Sequence, residues 1–121
     1  MTPRDYVNPM SNQFHVVAAK SELSEGKQLP VELDGEEILL CQHQNQYYAI
    51  ANYCSHDRLS LEGGTFENGC IVCPYHGAEF NLKDGAVMAP PAYEGIKTYP
   101  IRVDADTLSV CATPHAAKSS E

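Results

Sequence analysis

Two short motifs in the middle of the chain each combine one cysteine with one histidine. The first is Cys54-Ser55-His56 and the second is Cys73-Pro74-Tyr75-His76. Side chains in extended backbone repeat on one side every two residues, so the first pair can face a common point. Pro74 and the following Gly77 suit the tight turn that the second pair needs. The spacing therefore predicts a metal site with two thiolate and two imidazole ligands.

Two kinds of metal centre suit this donor set, and the residues by themselves leave both open. Zinc accepts two cysteines and two histidines tetrahedrally, usually with the cysteines in one motif and the histidines in the other. A [2Fe–2S] cluster of mixed ligation takes two cysteines on one iron and two histidines on the other. Each motif here contains one of each type, which favours the cluster. Gly63, Gly64, Gly77 and Gly85 lie nearby and allow backbone to approach it closely.

Size and charge limit the classes of protein that this chain can represent. Its 121 residues, 43% of them apolar, predict a single globular domain. The net charge of −8 disfavours nucleic acid as a partner, because phosphates would repel it. The acidity either maintains solubility or complements a basic protein partner. No apolar run approaches the roughly 20 residues of a membrane span, and no signal peptide is visible, so we expect a cytoplasmic protein without a membrane partner.

The elements that position the two motifs are predicted to be short strands separated by turns. Asp34-Gly35 predicts a hairpin turn, and Asp104-Ala105-Asp106 turns a last hairpin between residues 97–103 and 108–111. One helical turn is predicted from Ser21 to Gly26. The remaining candidate strands are residues 14–18, 29–33, 37–43, 46–51, 70–73, 78–82 and 86–88. This pattern predicts an all-β sandwich or barrel.

Longer stretches around the two motifs resemble a known family. The two cluster-binding boxes of Rieske proteins are similar to Cys54-Ser-His-Asp-Arg-Leu-Ser-Leu-Glu-Gly-Gly and Cys73-Pro-Tyr-His-Gly-Ala-Glu-Phe. The proline loop of that family resembles Gly85-Ala-Val-Met-Ala-Pro-Pro-Ala. The resemblance implies one Rieske-type [2Fe–2S] cluster with Cys54, His56, Cys73 and His76 as ligands. It also implies an antiparallel β sandwich or barrel base that carries a small cluster-binding subdomain.

The resemblance extends from about Phe14 to Cys111 and suggests a simple domain organisation. Residues 1–12 form an N-terminal extension, and residues 13–112 form the Rieske domain. The cluster-binding part covers about residues 52–92. Residues 113–121 are small and polar, and we expect them to form a flexible tail.

Four residues depart from the pattern of high-potential Rieske proteins. Leu59 and Tyr75 occupy the positions of two further cysteines that form a disulfide in those proteins. Ala78 and Phe80 replace a serine and a tyrosine whose hydroxyls hydrogen-bond the cluster and one ligand sulfur. Fewer donors stabilise the reduced cluster less, so we predict a potential near the low end of the Rieske range, roughly −150 mV.

These departures resemble the ferredoxins of bacterial aromatic-ring dioxygenases. The resemblance implies a low-potential one-electron carrier in aromatic hydrocarbon catabolism, without catalytic residues or a small-molecule substrate of its own. Its expected partners are an NAD(P)H-dependent flavin reductase and a terminal non-haem iron oxygenase. Two alternatives remain: a Rieske-like small subunit of another reductase, such as nitrite reductase, and a structural zinc module.

Other candidate residues have plainer interpretations. Cys70 forms a C-x-x-C pair with Cys73, either as a redox pair or alternative ligand or, as we favour, as a strand residue beside the site. Cys41 and Cys111 lie in apolar strands and are expected to be buried. None of the other histidines has ligand spacing: His15, His43 and His115.

Five acidic residues lie near the boxes in sequence. They are either a docking rim for a basic partner or an ordinary solvated face: Asp57, Glu62, Glu67, Glu79 and Asp84.

Overall fold

The computed structural model describes residues 13–55, 59–75, 77–89 and 95–115. A 3₁₀ helix, Lys20–Glu22, follows the first strand. It begins one residue before, and ends four residues before, the helical turn predicted from Ser21 to Gly26. Within the described ranges, no helix has the length and apolarity that crossing a membrane requires. The strands are His15–Ala19 (β1), Gln28–Leu33 (β2), Glu36–His43 (β3), Gln46–Ala51 (β4), Thr65–Glu67 (β5), Cys70–Val72 (β6), Glu79–Asn81 (β7), Val87–Ala89 (β8), Thr98–Tyr99 (β9), Ile101–Val103 (β10) and Thr107–Val110 (β11).

The strands form three antiparallel sheets, which confirms the predicted all-β class. Two of them, with orders β1-β11-β10 and β2-β3-β4-β9, are called the base sheets here. The third, with order β5-β6-β7-β8, is called the site sheet because it lies between and beside the two cysteine–histidine motifs in sequence.

Tight turns explain the register of the longest hairpins. Asp34 and Gly35 have φ values of 53° and 81°, and Gln44 and Asn45 have 55° and 64°. Two successive residues with positive φ are typical of the type I′ turn, whose twist matches that of paired strands. The antiparallel β2–β3 and β3–β4 pairs follow from these two turns.

The last hairpin differs from its prediction. The prediction of one continuous strand over residues 97–103 is wrong, because Pro100 separates β9 from β10. Proline has no N–H to donate to a ladder, and the chain changes sheets at that residue. Thus β9 pairs with β4 in one base sheet, whereas β10 pairs with β11 in the other.

Strand β5 was not predicted from the sequence. Its three residues are too few for a period to be recognised, but Asn68-Gly69 follows them directly. Those two residues have φ values of 51° and 81° and turn the chain into β6. An Asn-Gly pair is a strong hairpin signal, so this turn was the available clue.

The hydrophobic core connects the site sheet to the base. Residues 38–42 of β3 are all buried, so both faces of this central strand are covered. In the site sheet, Ile71 pairs with Phe80, and both side chains are fully buried in the same core cluster. The site sheet therefore has a buried apolar face, which gives the loops at its ends a rigid support.

Candidate metal centre

The register of the site sheet brings the two loops that contain the motifs to one end of it. Thr65 pairs with Val72, Val72 pairs with Glu79, and Glu79 pairs with Ala89, so these four residues form one row across the sheet. The loop that ends before Thr65 contains the first motif and is called the first loop. The loop between Val72 and Glu79 contains the second motif and is called the second loop. Both loops therefore join the sheet at the same end, which is called the cysteine end here.

Each motif begins with a buried cysteine whose backbone closes the loop. Cys54 is fully buried and Cys73 is 2% exposed. The Cys54 N–H donates to the Leu59 carbonyl at 2.8 Å, and the Cys73 N–H donates to the Ala78 carbonyl at 2.7 Å. Each hydrogen bond reaches five residues ahead, so the two loops are closed in the same way. By sequence, these closures enclose His56 and His76, which lie outside the described residues.

The donor set fits a [2Fe–2S] centre. Two buried thiols begin two loops at one end of a sheet, and each loop also contains one histidine in its sequence. Thiolates and imidazoles in equal number suit a cluster with one cysteine-bound and one histidine-bound iron. Gly77 has a φ of +80° and donates its N–H to the Cys73 carbonyl, which makes the second loop tight as predicted.

Gly64 holds the first loop against the strand that leads to Cys73. A Cβ at Gly64 would collide with the carbonyl oxygen of Val72, so any side chain there would push the loop off β6. The Gly64 N–H also donates to the Leu61 carbonyl at 3.0 Å. The close backbone approach expected of the glycines is therefore real at this position.

Two side chains of the base hold the first loop through its backbone. The Asn52 Oδ1 accepts from the Leu61 N–H at 3.2 Å and from the Ser60 hydroxyl at 3.0 Å. Gln28, at the start of β2, donates from Nε2 to the Gly64 carbonyl and accepts at Oε1 from the Gly63 N–H, both at 2.7 Å. The sequence did not point to either residue, because an amide side chain carries no motif and Gln28 is far away along the chain.

A pair of glycines encloses the segment that was likened to the proline loop. The Ile96 N–H donates to the Gly85 carbonyl at 2.9 Å. A Cβ at Gly85 would collide with the Ile96 carbonyl, and one at Gly95 would collide with the Gly85 carbonyl. Pro90 and Pro91 lie outside the described residues, so the structure describes the base of this segment.

The acidic residues do not share one end of the site sheet. Glu79 lies in the row beside the two loops, and Glu62 lies in the first loop. Glu67 pairs with Cys70 at the opposite end, and Asp84 lies in the turn after β7 that also joins that end. Asp57 is outside the described residues. Of the described members, Glu62 and Glu79 therefore lie beside the two loops and Glu67 and Asp84 lie at the other end of the short strands, and the docking rim stays a prediction.

Cys70 behaves as a buried strand residue. It is 6% exposed and pairs with Asn81 at the end of the sheet away from Cys73. Burial raises the pKa of its thiol, and the carboxylates of Glu79 and Asp84 raise that pKa further. Reactive thiols have a lowered pKa, so this environment argues against a redox role. Cys41 and Cys111 are buried as predicted, and burial raises the pKa of Cys41 strongly.

Two histidines outside the motifs make structural contacts. The His43 ring centroid lies 5.1 Å from that of Phe66, and its Nε2 accepts from the Gly69 N–H at 3.4 Å. The His115 Nδ1 lies 2.9 Å from the Thr98 hydroxyl, and the His115 N–H donates to the Thr98 carbonyl at 2.8 Å. The chain is thus held to β9 as far as His115, the third residue of the segment predicted to be a flexible tail.

Comparisons with known proteins agree with the resemblance of the two motifs. The family described as Rieske [2Fe-2S] domain matches residues 13–100. The ferredoxin component of the naphthalene 1,2-dioxygenase system of Pseudomonas putida is 33% identical over 95 residues, covering 78% of this chain and 91% of that protein. The solved ferredoxin of carbazole 1,9a-dioxygenase from Nocardioides aromaticivorans IC177 is 30% identical, with a TM-score of 0.77 over 82% of this chain and 97% of its own.

More distant structures share the fold. A ferredoxin solved in a complex of reduced oxygenase and oxidized ferredoxin of carbazole 1,9a-dioxygenase has a TM-score of 0.79 at 24% identity, covering 88% of this chain and 99% of that one. A protein assigned as the small subunit of an NADPH nitrite reductase has a TM-score of 0.73 at 21% identity, covering 83% and 99%. The fold by itself therefore does not separate these two functional classes.

Proposed function

The chain belongs to the Rieske [2Fe–2S] domain family, and we propose that Cys54, His56, Cys73 and His76 bind its cluster. The observation that carries this assignment is the common row of the site sheet, at which the first loop enters the sheet and the second loop leaves and re-enters it, each loop having a buried cysteine near its start. A cluster bound there supplies one-electron transfer. The protein residues bury the thiols and hold the two loops at a constant separation.

The chain is an electron carrier and not an enzyme by itself. Ferredoxin components of multicomponent dioxygenase systems are its similar full-length relatives, and one ferredoxin of this fold is solved in complex with its oxygenase. The oxygenase partner of this chain is accordingly a terminal oxygenase for an aromatic substrate. We further propose that an NAD(P)H-dependent flavin reductase supplies the electron, because the carrier needs a one-electron donor. A cytoplasmic location is part of the proposal, since all five cysteines are buried thiols as in a reducing compartment.

The cysteine end of the site sheet also offers a docking surface. Three large apolar side chains are exposed on the elements that meet there: Leu59 at 39% in the first loop, Tyr75 at 57% in the second loop and Met88 at 57% in β8. Exposed apolar groups beside a redox centre favour partner contact, because their burial stabilises a short-lived complex. This surface includes residues of both loops that would hold the cluster.

Electron paramagnetic resonance tests the function directly. Protein reduced with dithionite is expected to give the low average g-value of a Rieske cluster, with two irons and two acid-labile sulfides per chain. Zinc without iron would overturn the proposal in favour of a structural zinc module. A large subunit that stays bound through purification would instead indicate the small subunit of a nitrite reductase.

Variants of single cysteines test the ligand assignment. Cys54→Ser and Cys73→Ser should each lose the Rieske signal, because a thiolate ligand of iron is removed. The matched control is Cys70→Ser, a buried cysteine on the same sheet that should keep both signal and iron content. Loss of the signal in the control alone would refute the assignment.

A further inference from the structure

The side chain of Gln28 links strand β2 of a base sheet to the first loop through two hydrogen bonds. Its Nε2 donates to the Gly64 carbonyl and its Oε1 accepts from the Gly63 N–H, each at 2.7 Å. A carboxamide is needed for this, because it offers a donor and an acceptor side by side. Among the described residues, no β-ladder joins the site sheet to either base sheet, so contacts outside the ladders, the Gln28 hydrogen bonds among them, hold the sheets together.

The position that Gln28 holds is the one that sets the distance between the two loops. Gly64 lies against the Val72 carbonyl, with no room for a Cβ, and Val72 directly precedes Cys73. Gly64 also receives Gln28 on its carbonyl side, so it is clamped between β2 and β6. A shift of Gly64 would therefore move the first loop relative to the second.

The ligation of both irons of the proposed cluster would depend on the distance between the two loops. Each loop contributes one cysteine and one histidine, so the cysteine pair and the histidine pair each draw one ligand from each loop. A change in loop separation would therefore displace a ligand of each iron at the same time. Groups that hold ligands in place through hydrogen bonds have large effects on metal affinity and redox properties.

We infer that Gln28 is a positioning residue of the cluster, acting through Gly63 and Gly64 to hold the first loop at its working distance from the second. The inference rests on the proposed function, since it requires a cluster shared by both loops. It predicts that loss of the carboxamide weakens retention of the cluster more than it lowers the stability of the fold.

The test compares two glutamines whose side chains bond different backbone segments, of which only the segment bonded by Gln28 belongs to the first loop. Gln42 on β3 donates from Nε2 to the Leu23 carbonyl, also at 2.7 Å, and contacts neither loop by that bond. Gln28→Met and Gln42→Met each remove a carboxamide bonded to backbone while keeping an unbranched side chain. We expect both to lower the melting temperature by a few degrees. Only Gln28→Met should broaden the Rieske resonance lines and speed iron release to a chelator about tenfold.

Hydrogen exchange of the cluster-free protein gives an independent reading. The Gly63 amide should exchange faster in Gln28→Met than in wild type, because its acceptor is gone, whereas Gln42→Met should leave it unchanged. If Gln28→Met fails to fold, Gln28→Glu serves instead. It keeps an acceptor for Gly63 but replaces the donor to Gly64, and it should also speed iron release.

The outcomes distinguish the presence of a cluster from the role of Gln28 in positioning it. A wild-type protein without a Rieske signal would overturn the proposed function. A wild-type protein with that signal, whose Gln28 variants match Gln42→Met in line width and iron release, would overturn the positioning role of Gln28 alone.

Discussion

Gly85 and Gly95 lie backbone against backbone at the base of the segment that follows β8. A Cβ on Gly95 would meet the Gly85 carbonyl, and the Gly85 carbonyl accepts the N–H of Ile96. Thr98 lies against the same point, because its Cγ2 would be 3.2 Å from a Cβ on Gly85. The close approach of these two backbone segments therefore requires a residue without a side chain at both Gly85 and Gly95.

The first prediction concerns this crossing. Gly95→Ala should reduce the free energy of unfolding by about 2 kcal/mol, because the added methyl must displace backbone and not a flexible side chain. Urea unfolding of the cluster-loaded protein, followed by visible absorbance and circular dichroism, measures the change. Gly69→Ala is the control. A Cβ at this position meets no other atom, but the alanine backbone must adopt a φ of +81°, which costs about 1 kcal/mol. An equal or smaller loss for Gly95→Ala would contradict the close approach.

The second prediction concerns the redox potential. Ala78 and Phe80 are fully buried and carry no hydroxyl, so the wild-type potential should be near the low end of the Rieske range, roughly −150 mV. Ala78→Ser should raise the potential by roughly 50 mV, because a new donor stabilises the reduced, more negative cluster. A dithionite titration followed by electron paramagnetic resonance measures both values. A clearly positive wild-type potential would refute the prediction.

The third prediction concerns the thiol of Cys70. Burial raises its pKa first, and the carboxylates of Glu79 and Asp84 add to the effect. Asp84→Asn removes a negative charge, so the pKa falls, more thiolate is present at a given pH, and alkylation at Cys70 speeds up. The Asp84 Oδ1 accepts the Ala86 N–H, and asparagine can keep that bond. Mass spectrometry after timed iodoacetamide treatment gives the rate at Cys70.

Glu62→Gln is the control for Cys70 reactivity. It neutralises a carboxylate in the first loop that has no part in raising the Cys70 pKa. Its alkylation rate should match wild type. Equal acceleration in both variants would show that net charge, and not the neighbouring carboxylate, governs the thiol.

The fourth prediction concerns docking at the cysteine end. Leu59→Ser combined with Met88→Ser should lower the second-order rate of electron transfer to the oxygenase about fivefold, through lost apolar contact. The potential should stay constant. Val16→Ser on β1, where the side chain is 65% exposed on a base sheet, is the control and should transfer electrons at the wild-type rate. Stopped-flow absorbance of the cluster reports the rate, and an unchanged rate in the double variant would exclude this surface.

Local patterns were enough to predict much of this protein. The order of Cys54, His56, Cys73 and His76 favours an iron–sulfur centre over zinc, because the type of each candidate ligand is a property of the residue itself. Turn pairs such as Asp34-Gly35 likewise predicted the β2–β3 hairpin, since positive φ is a local preference.

Tertiary structure decided the relationships that no local pattern contains. Pro100 marks an interruption in any sequence, but the exchange of base sheets at that residue depends on which strands lie beside it. The register of the site sheet placed Glu67 and Asp84 away from the cysteines, although both lie near the boxes along the chain. Gln28 reaches Gly63 and Gly64 because β2 folds beside the first loop. The residue types therefore predict the ligand set, whereas the support of the loops that contain it comes from contacts between distant segments, which exist once the chain has folded.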